Sequence, residues 1–332
     1  MRAILTRAPL RICCVVGLLA IQLSLAAIDE VSTNGAPLPS GSRIVASTSI
    51  TNLDMVLSET PSGNKTMHLL PGSLGEHVVS NVLVRLQGKS PVEAMEMFLS
   101  KRTEATNIVR NPGFWLNDLP ETTAYSAIRA YGISAGRISY GVNATLLTRR
   151  HFFQWKHNQV PIGSLLVYVT KENRRIVRSV IDWYPIGKCD TNHYNGTNDG
   201  LIVQQLNEAV TEEITPLKTL PDDANCYYGE LPTFVSGHQS KKFGLSEHAS
   251  APFVSQGVFE IFRPIGGPRL DWYVPMVGGD SGCTTEYIIN GHLVLAMPQS
   301  SPILAAVTIL NSRHATTELP SVIDLSSFPR VR

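Results

Sequence analysis

The stretch TLLTRRHFFQWKH, residues 145–157, reads as a hairpin with a histidine at its exit. A short strand runs into a polar turn at 148–150, and the apolar run HFFQW makes the returning strand. His157 stands just past the end of that strand, where a rigid scaffold holds a side chain and still leaves it open to a substrate. His151 falls inside the returning strand and reads as a partly buried strand residue. The next segment, NQVPIGSLLVYV, is a Pro-x-Gly turn leading into another strand.

The same texture continues on both sides. After about residue 108 the chain carries short apolar runs separated by turn residues. They are RISYGVNATLL, GSLLVYVT, RRIVRSVIDW, DGLIVQQL, GVFEIF, EYIINGHLVLAM and ILAAVTIL. Many alternate with period two and are rich in Val, Ile and Tyr, so each is expected to be a strand and the region to be all-β. Asn290-Gly291 between EYII and HLVLAM is a two-residue hairpin turn, since both positions of such a turn demand positive φ. One helix is expected near 90–102, in SPVEAMEMFLSKR. Ser90 can cap it, Pro91 suits its first position and Glu93 sits at the capping-box offset.

Just before the last hairpin stands VGGDSGC, residues 277–283. A serine hydroxyl is a weak nucleophile near neutral pH. It needs an imidazole to take its proton and a carboxylate to hold that ring in the useful tautomer. A Gly-x-Ser-x-Gly elbow followed by a helix is excluded, because Cys283 takes the last glycine position and a hairpin follows. With His157 as the base, the acid is sought at another strand end. Asp199, in NDGLIVQQL, precedes an alternating strand. Asp182, Asp222 and Asp223 lack that context, and Asp190 precedes a polar loop.

These three pieces resemble the chymotrypsin-like serine proteases. The histidine at the hairpin exit, the Asn-Asp ahead of an apolar strand and the Gly-Asp-Ser-Gly turn come in that family's order. RNPGFWLNDL, LLTRRH and GDSG closely followed by YIINGHLVL are similar to trypsin-like domains of exported bacterial proteins. The resemblance covers roughly residues 111–310. It implies two packed six-stranded antiparallel β-barrels, the first about 120–215 and the second about 225–315, within a protease domain at 108–325. It implies a triad of His157, Asp199 and Ser281, with the backbone N–H groups of Gly279 and Ser281 as the oxyanion hole. It also implies a substrate cleft touched by Pro275, Met297, Gln299 and Ser300, with 297–300 as an edge strand pairing with an extended peptide. The position that selects Arg or Lys in tryptic members is Pro275, so tryptic specificity is not expected. The chain departs from the family at Trp155-Lys156, where two small residues are usual, and at Cys283, usually glycine. A catalytically inactive, peptide-binding protein of the same fold is the competing reading.

The 332 residues are 43% hydrophobic and 17% charged, with net charge +1. No basic stripe points to nucleic acid. Arg2, Arg7 and Arg11 flank the apolar run ICCVVGLLAIQLSLAA, with small residues at Ser24 and Ala26, which reads as a signal peptide over 1–26. The expected product is secreted or periplasmic, acts on a peptide or protein substrate and has no stable membrane association. Residues 27–107 read as a pro-segment or linker. Cys189, Cys226 and Cys283 remain after signal removal, an odd number that allows one internal bridge. Asn64, Asn143 and Asn195 begin glycosylation sequons. Neither a metal nor an organic cofactor is implied.

Overall fold

In the computed structural model, the described residues are 30–32, 43–46, 55–59, 65–69, 72–89, 99–101, 109–130, 138–139, 144–156, 159–186, 200–227, 230–236, 243–249, 260–262 and 284–330. They form a strand-rich protein with few helices. β1 (Glu30–Ser32), β2 (Arg43–Ala46), β3 (Met55–Glu59) and β4 (Lys65–Leu69) make a sheet of order β1-β4-β3-β2.

Helix α1 (Leu74–Leu86) follows. The Ser73 hydroxyl accepts from the Glu76 amide at 3.1 Å, and the Glu76 carboxylate accepts from the Gly72 amide at 2.6 Å. This is a variant of the capping box in which the carboxylate reaches the amide before the N-cap, and it outweighs the β-branched valines that follow. Leu74, Val78, Val79, Val82 and Leu86 form its buried face, and Gly88, at φ 75°, ends it. The Asn290 amide donates to His77 Nε2 at 3.0 Å, docking α1 on the hairpin turn at Asn290-Gly291.

The helix expected over 90–102 is corrected at its C-terminal end. Leu99–Lys101 is a strand, β5, paired with β6 (Val109–Arg110), while 90–98 lies outside the described residues.

Seven antiparallel strands then form the first large sheet: β7 (Ser126–Ala130), β8 (Ile138–Ser139), β9 (Thr145–Leu146), β10 (His151–Trp155), β11 (Leu165–Val169), β12 (Arg175–Pro185) and β13 (Leu201–Leu206). Their order is β8-β7-β11-β12-β13-β10-β9. The hairpin read at 145–155 is present: Phe152 faces Leu146, and the Leu147 amide donates to the His151 carbonyl at 2.8 Å.

The second large sheet holds β14 (Lys218–Leu220), β15 (Glu230–Ser236), β16 (Phe243–Ala249), β17 (Glu260–Phe262), β18 (Thr285–Ile289) and β19 (His292–Gln299). Its order is β14-β19-β18-β15-β16-β17. Asn290 (φ 50°) and Gly291 (φ 75°) turn β18 into β19 with Ile289 opposite His292, as the Asn-Gly pair demands.

The run ILAAVTIL, expected as a strand, is helical. It lies in α2 (Ser300–His314), which buries Ile303, Ala306, Val307 and Leu310. That spacing of three and four makes one helical face. The cap comes from far along the chain, since the Ser301 amide donates to Asp222 Oδ1 at 2.9 Å.

One apolar core joins these parts. It takes Val82 and Leu86 from α1, Phe152 and Phe153 from β10, Leu166 from β11, Val203 from β13, Ile288 from β18, Leu295 from β19 and Leu310 from α2. Arg110 is one of the charged residues of this interior, only 4% exposed. Its guanidinium donates to Thr122 Oγ1 at 2.6 Å, to the Thr122 and Val169 carbonyls at 3.4 and 3.3 Å, and to Asn117 Oδ1. Its amide donates to Asn173 Oδ1 at 2.7 Å, and Asn173 holds the β11–β12 turn at φ 64°. Burial pulls the guanidinium down to about 10, opposed by the Glu172 charge, so it stays charged at neutral pH.

Arg110→Ala strands the Thr122 and Val169 carbonyls in the interior. It is expected to lower unfolding stability by about 2–3 kcal/mol in denaturant titration, as unsatisfied buried polar groups do. Arg110→Lys, lacking the planar fork, is expected to recover less than half of the loss. An unchanged midpoint in Arg110→Ala would show the cluster to be dispensable.

Candidate functional site

His157, Asp199, Gly279, Ser281 and Pro275 lie outside the described residues, as do Cys189 and Cys283. The residues beside them are described. β10 pairs with β13 from His151↔Gln205 to Trp155↔Leu201, and one step further the Lys156 amide donates to the Gly200 carbonyl at 2.7 Å. Lys156 immediately precedes His157, and Gly200 immediately follows Asp199.

The chain after the histidine is tied to the same ladder. Gln204, fully buried on β13, accepts from the Val160 amide at 2.8 Å and donates to the Val160 carbonyl at 2.7 Å. The Lys156 ammonium lies 3.5 Å from the centre of the Trp183 ring and donates to Gln159 Oε1. An aromatic face and an amide oxygen both satisfy that charge locally.

The second sheet meets this region through a seam of buried polar groups. The Thr284 and Thr145 hydroxyls are 3.0 Å apart, and both side chains are fully buried. Thr284 stands in the segment that follows Ser281, and Thr145 is on β9 beside β10. Glu121, 0% exposed, approaches His292 Nδ1 at 2.6 Å and accepts from the Leu293 amide at 3.2 Å. Glu286, also 0% exposed, has neither carboxylate oxygen hydrogen-bonded to another described residue. Burial pushes the Glu286 carboxyl up to about 8.

The sequence did not single out Glu121 or Glu286. A carboxylate placed directly before the apolar run YII was the available signal for Glu286, since an ionised group is seldom fully buried without a partner.

Met297 and Gln299 lie in β19, but β19 is not an edge. β14 runs along it in parallel, with Leu220 opposite Gln299, and Ser300 begins α2 with its hydroxyl donating to Asp222 Oδ1 at 3.1 Å. The edge strand expected at 297–300 is therefore corrected. The apolar hairpin continues far enough to gain a second neighbour on that side.

The described rival acids have structural work. Asp182 faces His314 Nε2 at 2.9 Å and accepts from Arg313 at 3.3 Å, Asp222 caps α2, and Asp223 pairs with Arg330. Cys226 is half-buried with a free thiol.

His151 is wholly buried, as its strand position implied. The Thr148 hydroxyl oxygen accepts both the Arg150 and His151 amides at 3.0 Å and lies 2.8 Å from His151 Nδ1. Burial, then the charges of Arg150 and His314, pull this imidazole down to about 3. It is neutral and enclosed, with no access to a substrate.

Among the described residues no group of His, Cys, Asp and Glu is arranged to hold a metal ion, and no helix is long and apolar enough to cross a membrane. No protein-family model and no curated protein matches the chain.

An unfolded histidine takes up a proton below about pH 6.5, whereas folded His151 holds out to about 3. Stability is therefore expected to fall as pH drops from about 6.5 toward 3. His151→Gln, which cannot titrate, is expected to flatten the decline in melting temperature between pH 6.5 and 4. A parallel decline in the variant would assign the acid sensitivity to other groups.

Proposed function

We propose that the chain is an exported serine endopeptidase of the chymotrypsin-like type, its two large sheets each curling toward a barrel, with His157, Asp199 and Ser281 as its triad. The observation that carries the reading is the hydrogen bond from the Lys156 amide to the Gly200 carbonyl at the end of the β10–β13 ladder. An aspartate that orients a catalytic imidazole must stand beside it, and the residues flanking each are bonded to one another. The Thr145–Thr284 contact supports a serine donated by the second sheet to a histidine of the first.

The chemistry then runs as follows. Ser281 Oγ attacks the scissile carbonyl while His157 takes its proton, and Asp199 stabilises the resulting imidazolium and fixes the ring's tautomer. The Gly279 and Ser281 amides receive the oxyanion, and loss of one such donor typically lowers turnover by about 100- to 1000-fold. The tetrahedral intermediate collapses as His157 passes its proton to the leaving amine. Water then hydrolyses the acyl-enzyme through the same base. A glycine at 279 leaves the approach to the carbonyl oxygen clear. Pro275 is proposed to line the peptide cleft.

The competing reading, a peptide binder without catalysis, drew on a lysine beside the base, because a nearby ammonium disfavours an imidazolium. Engagement of Lys156 with Trp183 and Gln159 lessens that objection.

A fluorophosphonate probe is expected to label the folded, secreted protein at Ser281. Ser281→Ala is expected to abolish labelling, and His157→Ala to reduce turnover by at least about 10,000-fold. A correctly folded protein that takes no label would sink the peptidase reading in favour of the binding one.

A further inference from the structure

We propose that Trp183 and Lys156 act together as positioning residues for the base: the Trp183 ring on β12 anchors the lysine that opens the turn containing His157. The inference deepens the peptidase reading above and rests on it for its effect on catalysis.

Trp183 stands opposite Gln204 in the β12–β13 pairing, and Gln204 stands opposite Phe152 in the β10–β13 pairing. Directly opposed residues of antiparallel strands project to the same face, so Trp183 and Gln204 are neighbours on one sheet surface. Each holds a different end of the segment that leaves β10. The Lys156 ammonium lies 3.5 Å from the centre of the half-buried Trp183 ring. Gln204 engages both the amide and the carbonyl of Val160, at 2.8 and 2.7 Å. Between these anchors the chain closes a turn. The Gln159 amide donates to the Lys156 carbonyl at 3.0 Å, and the Lys156 ammonium donates to Gln159 Oε1. Backbone and side chain thus join the same two residues, and His157 and Asn158 are the two that stand between them in sequence.

The anchors divide the work. The Lys156 amide bonds to the Gly200 carbonyl at 2.7 Å and Val160 bonds to Gln204, so β13 fixes the backbone on either side of the turn. Two anchors on one strand leave a short turn free to tip about the line that joins them. The contact with Trp183 lies on the next strand, β12, off that line, and it removes the tipping. An ammonium suits this task because the face of an indole attracts a cation toward the ring centre, whereas an apolar side chain would pack there without a fixed point. Lys156 is thereby an anchor for the turn rather than a charge placed beside the base. Tilting the turn would swing an imidazole carried on it away from both the acid and the nucleophile, and a displacement of about 1 Å at a reacting group can cost about 100-fold in rate.

The test follows fluorophosphonate labelling of the full secreted chain over a range of probe concentrations, which separates the maximal rate from the concentration that gives half of it. Trp183→Leu and Lys156→Met are each expected to lower the maximal rate by about 10- to 100-fold and to leave the half-saturating concentration unchanged. Because the two residues act through one contact, the double variant is expected to be no slower than the slower single one. Lys156→Arg is expected to recover most of the rate, since a guanidinium also stacks on an indole face. Melting temperatures accompany each rate. If Trp183→Leu melts far below wild type, Lys156→Met, a change of similar size at a partly exposed side chain, carries the test. Unmoved maximal rates in both single variants, multiplied losses in the double variant, or a Lys156→Arg no faster than Lys156→Met overturn the positioning role while the peptidase reading stands. A folded wild-type chain that takes no label overturns the peptidase reading, and the positioning role with it.

Discussion

The Glu121 carboxylate, completely buried, can be satisfied only where the first half of the chain meets the second. It reaches His292 Nδ1 and the Leu293 amide on β19, from the turn that enters β7. A buried carboxylate deprived of such partners is strongly unfavourable, so the contact admits one docking of the sheets and penalises displaced ones. The Thr145–Thr284 contact lies along the same seam and shares its constraint. Apolar packing across the core supplies the attraction, and these polar contacts select the geometry.

The polar contacts of the first sheet work in the same way at shorter range. Arg110 ties the entry segment to Thr122 and to the end of β11, and Asn173 accepts its amide from the β11–β12 turn. Gln204 holds the chain after residue 158 against β13. The β10–β13 ladder is thus fastened on both sides of the position proposed for the base. Precision at a catalytic site needs this kind of support, because a small displacement of a reacting group lowers rate steeply.

Local patterns were legible where neighbouring residues decide the conformation. The 145–155 hairpin, the strand 201–206 and the Asn290-Gly291 turn follow from alternation and from the φ requirements of a tight turn. Patterns failed where the deciding partner is distant. ILAAVTIL carries β-branched residues that fit a strand, yet Asp222 caps its first turn and the core accepts its helical face. SPVEAMEMFLSKR carries a helix signature, but Leu99–Lys101 finds Val109–Arg110 as a strand partner. Asp222, read as a rival catalytic acid, turned out to be that helix cap.

Glu286 and His151 mark the boundary between what the two levels of description can decide. Sequence alone determined that the chain is rich in strands, where its hairpins turn, and which serine, histidine and aspartate are candidates to act together. Tertiary structure alone decided that Glu286 is fully buried, that His151 is enclosed and neutral, and that β19 has a neighbour where an edge was expected. The physical reason is common to all three. Strand period and turn geometry are set by residues within a few positions of one another, whereas burial, protonation and strand neighbours are set by groups that only the completed fold brings together.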